Sequence, residues 1–469
     1  MKLKAVKIKN FRSIEDITFD IESLSDGSFT YGLIGINEAG KSSFLKALAL
    51  LDDHTGVMPE IGDFHKENSI DVIYMYEQSS EEIADAKKII LEKFPEIKIS
   101  DDELRSATLR ITFSHTGPSI SKTKSLVCAY IESEEKDQID SLLLEHVYSN
   151  SHYTIFWKSE DRYLINKEIS LGAFSADPGN VSIPLKNCFA LVGLDTKEKI
   201  QSKVIEISGD AAERQILRED LGKKVTKLIN KVWPNHPVKI TFDISGDSIY
   251  FHVNDPNGRP RTTGQRSDGF KQFVSFLLNI SSQRETNELS NSLILLDEPE
   301  THLHPQAQEY FLSELIKITQ SENNICFFAT HSNYMIDKSD LSRNFRVVKK
   351  ESDNETKISK FDKSIATYAS VNYEVFNVLD ESYHNELYDR LRQNHCDKNS
   401  LDSIGINAFD EQFFVQINKL KKEYPEKGVA NRVTLSTFVR NCIHYPQNKN
   451  KKFEQELRNS IELLKSYAS

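Results

Sequence analysis

The chain has 469 residues and a formal net charge of −11 at pH 7, with 38% hydrophobic and 28% charged residues, which suits several domains of ordinary globular composition. The acidic balance excludes a protein that binds nucleic acid through its whole surface, so such contact needs a local basic stripe or a partner. With no run of eighteen apolar residues and no CxxC pair among five scattered cysteines, no membrane-spanning helix, thiolate zinc site or disulfide framework is expected.

The opening "MKLKAVKIKNFRSI" alternates Lys with apolar residues, a strand pattern and not a secretory signal, so a cytoplasmic location is expected. "LKAVKIKNFRSIEDITFDIE" predicts two strands turning at Asn10–Ser13. "FTYGLIG" predicts a short buried strand that enters the loop "INEAGKSS" and the helix "FLKALALLDD". From Asp53 to Pro184 helical pieces alternate with strand-like ones such as "LRITFSH", "YTIFWK" and "RYLINKEI", the pattern of an α+β insertion. A charged helical arm follows, then the hairpin "HPVKITFDISGDSIYFHVND" turning at Ser245–Asp247. "GQRSDGF" leads into an apolar helix starting near Phe270 and Phe273. "NSLILLDEPE" and "NICFFATHS" are buried strands separated by the helix "QAQEYFLSELIKITQ", an alternation that argues for a parallel α/β sheet. The remainder is largely helical. The expected division is therefore a head in two parts, 1–52 and 238–358, an insertion at 53–184, a helical arm at 185–237 and a helical C-terminal domain at 359–469.

"GINEAGKS", Gly35 to Ser42, fits G-x-x-x-x-G-K-[ST] between a strand and a helix, the context this phosphate loop requires. Gly35, Asn37, Glu38, Ala39, Gly40, Lys41, Ser42 and Ser43 are the expected nucleotide contacts. Glycines free the backbone N–H groups to face phosphate oxygens, at the positive end of a helix. Lys41 is expected to neutralise the β- and γ-phosphates and Ser42 to hold Mg²⁺. "LILLDE" ends a strand in Asp297, expected on the Mg²⁺ shell, and Glu298, expected to polarise the attacking water. His331, just beyond a second buried strand, is placed to reach the γ-phosphate and that water. His302 and His304 lack further ligands of a suitable kind, and a turn role is expected for them.

In this order, "KNFRSIED", "GINEAGKSS", "RSDGF", "LLDEPETHLHP" and "ATHS" resemble the ABC-class ATPases of the SMC/RecF/OLD branch over roughly 1–51 and 238–348. The resemblance implies an ABC-type head with a parallel sheet core and N-terminal antiparallel strands, ATP and Mg²⁺ as cofactors, and Lys41, Glu298 and His331 as catalytic residues. It implies that "RSDGF" is the signature loop, with Ser267 and Gly269 reaching the ATP of a second head, so that hydrolysis needs a dimer. Asp268 and Phe270 depart from the family's S-G-G-Q. Gln78 is a weak candidate for the Q-loop, and a surface polar role is expected for it.

The layout, a head without a fused TOPRIM or HNH nuclease and with a helical tail, resembles the stand-alone ATPase subunits of bacterial anti-phage systems of the Septu and PARIS types. That resemblance implies an oligomeric ATPase holding a separate nuclease of HNH or TOPRIM type, the tail being its assembly surface. Two alternatives stand. Arg440, Asn441 and His444 in "VRNCIHYP" are similar to the R-N-x-H style of HEPN ribonucleases, though with one residue too few between Arg and His, and Arg390 with His395 is a second such pair. A helix end stopped by Pro446 is the plainer reading of that segment. A RecF-like repair ATPase is the other alternative. The basic stretches at Lys421 and Asn448 are interleaved with acidic residues and are expected to be solvated.

Overall fold

The structure is a computed structural model. It describes residues 1–66, 69–128, 135–158, 161–165, 168–232, 237–254, 274–275, 278, 290–301, 303–320, 323–350, 352, 354–361, 367–425 and 432–468. The signature stretch with Ser267, Gly269, Phe270 and Phe273, and His302, lie outside the described residues. The chain divides into two units, Met1–Phe361 and Asp362–Ser469, each with its own apolar core.

The strands of the first unit run, in chain order, β1 (Lys2–Phe11), β2 (Ile14–Asp20), β3 (Thr30–Ile34), β4 (Ser69–Glu77), β5 (Ser106–Thr116), β6 (Ser119–Cys128) and β7 (Tyr153–Lys158). They continue with β8 (Ile169–Ser170), β9 (Lys239–Ser245), β10 (Ser248–Asn254), β11 (Ser292–Asp297), β12 (Ile325–Thr330), β13 (Asn344–Lys349) and β14 (Thr356–Lys360). One sheet is antiparallel, in the order β2-β1-β4-β5-β6. The second has the order β14-β13-β3-β12-β11-β7, parallel throughout except for the edge strand β14. A small third sheet, β8-β10-β9, completes the unit.

The parallel strands are apolar without alternation, as strands covered on both faces must be. All six residues of β12 are buried, and so are all five of β3. The helix Lys41–Ala49 packs between the two sheets: the Phe44 ring lies 5.8 Å from Phe19 of β2 and 5.6 Å from Phe327 of β12. Arg343 is 1% exposed and ties the base of the sheet together, with ion pairs to Asp26 at 2.7 Å and Asp337 at 2.6 Å.

The segment 53–184, expected as an insertion, is instead built into the head. β4 pairs with β1, β5 and β6 extend the same sheet, and β7 pairs with β11. Among the described residues of the strand expected over "RYLINKEI", only Ile169 lies in a strand, β8, and a short 3₁₀ turn occupies Asp161–Tyr163. Tyr163 and Ile165 are buried there without joining a ladder, so their apolar spacing records core packing and not strand pairing. The expected helical arm consists of the helices Ile183–Leu191, Lys197–Gly209 and Ala211–Val232. Gln78, expected at the surface, is 3% exposed and its amide donates to the Leu104 carbonyl at 2.6 Å.

The second unit holds the helices Tyr368–Glu374, Glu381–Lys398, Leu435–His444 and Phe453–Ala468, with a π-helical stretch at Asp410–Ile417. Arg390 is exposed whereas His395 is buried beside Phe409 and Phe413, so that pair is not brought together as a site. Among the described residues no helix is long and apolar enough to cross a membrane.

Candidate nucleotide site

In the parallel sheet β3, β12 and β11 are neighbours, so their C-terminal ends share one edge. Gly35–Gly40 leaves β3 there, Asp297 ends β11 and His331 follows β12. This is where open α/β sheets bind ligands. The loop reaches the helix at Lys41 through Glu38, at φ 64°, and Gly40, at φ 105°. Only glycine fits position 40: a Cβ there would stand 2.1 Å from Thr356 Oγ1. Thr356 in turn locks the loop. Its hydroxyl donates to the Ala39 carbonyl at 3.1 Å, its N–H donates to the Ser13 carbonyl at 2.8 Å, and the Ser13 and Thr356 hydroxyls pair at 2.8 Å.

Lys41 is 4% exposed and its ammonium donates to the carbonyls of Gly35 at 2.8 Å and Ile36 at 2.9 Å. Burial pulls its pKa below the usual lysine value, and the carboxylates of Glu298, Asp297 and Glu300 act against that. The Ser42 hydroxyl donates to Asp297 Oδ1 at 2.8 Å. Burial raises the Asp297 pKa, with the Ser42 hydrogen bond opposing. Glu298, at φ 51°, sits within 3.2 Å of His331 Nδ1. That hydrogen bond holds Glu298 below the ordinary carboxylate value and His331 above the ordinary imidazole value. Their side chains are 38% and 48% exposed, so both remain reachable from solvent.

A cavity of about 690 Å³ lies over the loop, lined by Asn37, Glu38, Gly40, Lys41, Ser42, Ser43 and Glu298, and also by Arg12, Ser13, His65, Lys349 and Asn354. The last five were not singled out from sequence. Arg12 and Ser13 stand in the quoted "KNFRSIED", which was the available signal, while Lys349 and Asn354 left none. Glu300 was also missed. It is buried, it accepts from the Thr330 hydroxyl, its Oε2 has no partner, and burial pushes its pKa up to about 7. His304 is the N-cap residue of the helix Pro305–Thr319, and among the described residues no group of three or more His, Cys, Asp or Glu could hold a metal.

Two family models match the chain. Residues 1–175 match an AAA ATPase domain, and residues 160–337 match an AAA domain described as a putative AbiEii toxin of a type IV TA system. The Old nuclease of Escherichia phage P2 is 24% identical over 172 residues, 33% of this chain and 29% of that protein. Together the two models place similarity to ATPase domains over residues 1–337. An uncharacterized protein of Methanocaldococcus jannaschii is 25% identical over 155 residues, 32% of this chain and 39% of that one. The matches thus span well under two thirds of either relative. An SMC head domain from Thermotoga maritima aligns over 77% of this chain and 100% of its own, with TM-score 0.38 and 14% identity.

The site fits a magnesium nucleotide. The loop keeps a glycine where a Cβ would collide, its lysine is buried beside carboxylates, and the Ser42 hydroxyl and Asp297 carboxylate offer only oxygen, the donor a hard cation prefers.

Proposed function

We propose that the chain binds and hydrolyses ATP with Mg²⁺, that two copies close head to head around the nucleotides, and that this cycle regulates or scaffolds a separate nuclease of HNH or TOPRIM type in bacterial anti-phage defence. The observation that carries the reading is the Ser42–Asp297 hydrogen bond at 2.8 Å with the Glu298–His331 pair at 3.2 Å on the same sheet edge. Backbone N–H groups of Gly35 to Ser43 receive the phosphates at a helix N-terminus. Lys41 exchanges two loop carbonyls for phosphate oxygens. Ser42 and Asp297 hold the cation, which supplies neutralisation of phosphate charge. Glu298 is kept anionic by His331 and accepts the proton of the attacking water. Both side chains are partly exposed, which leaves room for Ser267 and Gly269 of a second head to close the site.

The defence role is supported by the description of the model matching 160–337, which names a putative toxin, and by the likeness to a phage nuclease. The helical second unit is the assembly or docking surface in this reading. The full chain is assayed for phosphate release with Mg·ATP, and its mass is followed with and without ATP. Glu298→Gln is expected to bind ATP, to dimerise and not to hydrolyse. Lys41→Ala is expected not to bind, and Ser267→Arg to bind without dimerising. Full-rate hydrolysis by Lys41→Ala overturns the site assignment. Failure of any neighbouring nuclease gene product to co-purify with the chain overturns the partner reading.

A further inference from the structure

The last 108 residues carry 15 acidic and 15 basic side chains, so the acidic excess of the chain sits entirely in the first 361. A cleft of about 900 Å³ opens in this neutral unit. Arg440, Asn441 and His444 line it from the helix Leu435–His444, and Tyr445, Asn448 and Asn450 line it from the segment that follows. No carboxylate lines it among the described residues, so its one permanent charge is that of Arg440.

The wall is set before any ligand arrives. Thr434, at the N-cap of the Leu435–His444 helix, donates its hydroxyl to the buried carboxylate of Asp410 at 2.6 Å. Further along, Ser436 pairs with Ser460 and Thr437 with Tyr388, each at 2.9 Å. Arg440 rests its guanidinium over the Tyr388 ring, 5.6 Å from the centroid, and its Nε is buried with no hydrogen-bond partner. Arg440 also lines the cleft, where its guanidinium offers an anionic oxygen a charge-assisted bond. Pro446 ends the helix, and Tyr445 beside it is 57% exposed at the rim. Lys451 and Lys452 are exposed just beyond. Asn450 is turned toward Glu456, to which its amide donates at 3.1 Å.

The geometry points to a binding cleft for single-stranded nucleic acid in the C-terminal unit, with a backbone phosphate on Arg440 and a base stacked on Tyr445. Cationic walls with exposed aromatic platforms recognise single strands without regard to sequence. Asn441 and Asn448 offer amide groups to base edges, and Lys451 and Lys452 continue the track for the backbone. A mononucleotide would use the phosphate contact and the platform but not the track. The inference stands on the second unit alone and is independent of the nucleotide chemistry proposed for the head.

The test uses the full chain in EDTA without ATP, so that nucleotide-driven closure of the heads is absent. Fluorescence anisotropy is read with 5′-labelled single-stranded RNA and DNA of about 12 nucleotides, and with a duplex of the same length. Saturable binding of a single strand is expected, weakened about tenfold by Tyr445→Ala through loss of one stacked base. Arg440→Ala is expected to weaken binding at least as much and to flatten its salt dependence, since one phosphate contact is removed. Tyr445 is exposed, so its replacement does not threaten folding and keeps the test decisive if Arg440→Ala unfolds. Lys41→Ala should bind strands as the unaltered chain does. Absence of binding up to about 100 µM strand, the range of non-specific contact, overturns the inference. So does unchanged binding by Tyr445→Ala, a preference for duplex, or equal competition by AMP, which would make the cleft a mononucleotide pocket.

Discussion

Glu300 offers a measurement of how strongly the head is organised around its buried carboxylates. Its side chain is buried, one oxygen accepts from Thr330, the other has no partner, and its pKa is pushed up to about 7 from an ordinary 4.5. A carboxyl raised in the folded state favours folding fully below its unfolded pKa, and that contribution is lost as pH rises through the folded value. Between pH 4.5 and 7 the unfolded chain ionises Glu300 while the folded chain keeps it protonated. The shift of about two and a half pKa units corresponds to roughly 3 kcal/mol at about 1.4 kcal/mol per unit. Glu300→Gln removes the titration and keeps an acceptor for Thr330. Relative to the unaltered chain, the variant should therefore gain about 3 kcal/mol of stability between pH 4.5 and pH 8, and no more above that. Urea unfolding followed by tryptophan fluorescence reads the right unit, because Trp157 and Trp233 both lie in the first 361 residues. A difference between the two proteins that does not change with pH refutes the reasoning, and so does one that grows as pH falls.

Three further outcomes are expected. Arg343→Ala should destabilise the head by about 3–5 kcal/mol, because Asp26 and Asp337 lose a shared buried cation, and a urea midpoint shift worth under about 1 kcal/mol would contradict that. Gly40→Ala combines a φ of 105° with a clash against Thr356 and should cost about 3 kcal/mol together with most of the ATP affinity. Thr356→Ala in the same chain should recover only the steric part, and additive losses in that double-mutant cycle would show that the two do not touch. In Glu298→Gln, histidine NMR should find the His331 pKa lower than in the unaltered chain, because its largest raising influence is the Glu298 hydrogen bond. The sign follows from the pair. His331 favours the folded head below its ordinary 6.5 and Glu298 above its ordinary 4.5, so the pair helps most between those values, and an unmoved His331 would show that it does not form.

The fold class was legible because its signals are local. Apolar runs mark β3, β11 and β12, glycines mark the loop between β3 and its helix, and the two acids close β11. These patterns depend on neighbours a few residues away, and they named Lys41, Ser42, Asp297, Glu298 and His331. The alternation over β1 and β2 read equally well, since one face of each strand is buried.

What the sequence could not carry were contacts between distant segments. Ser42 meets Asp297 across 255 positions, and Thr356 meets Ala39 across 317. Segment 53–184 looked like an insertion because its strands take partners from β1 and β11, and a pairing partner leaves no mark in the strand's own residues. Glu300 looked like one more acid after "LLDE", and only burial makes it a titrating group near pH 7. Arg440 and His444 sit one turn apart by helical periodicity alone, but the cleft they line is closed by Gly405 to Ala408 and by Asn448, which only the folded second unit brings beside them. The sequence by itself singled out the residues proposed for nucleotide binding, because that chemistry needs particular residue types at short spacings. Tertiary structure decided which strands complete the head, which carboxyl has its pKa raised by burial and where the cleft of the second unit opens, because pairing, desolvation and cavity shape are properties of segments that meet only on folding.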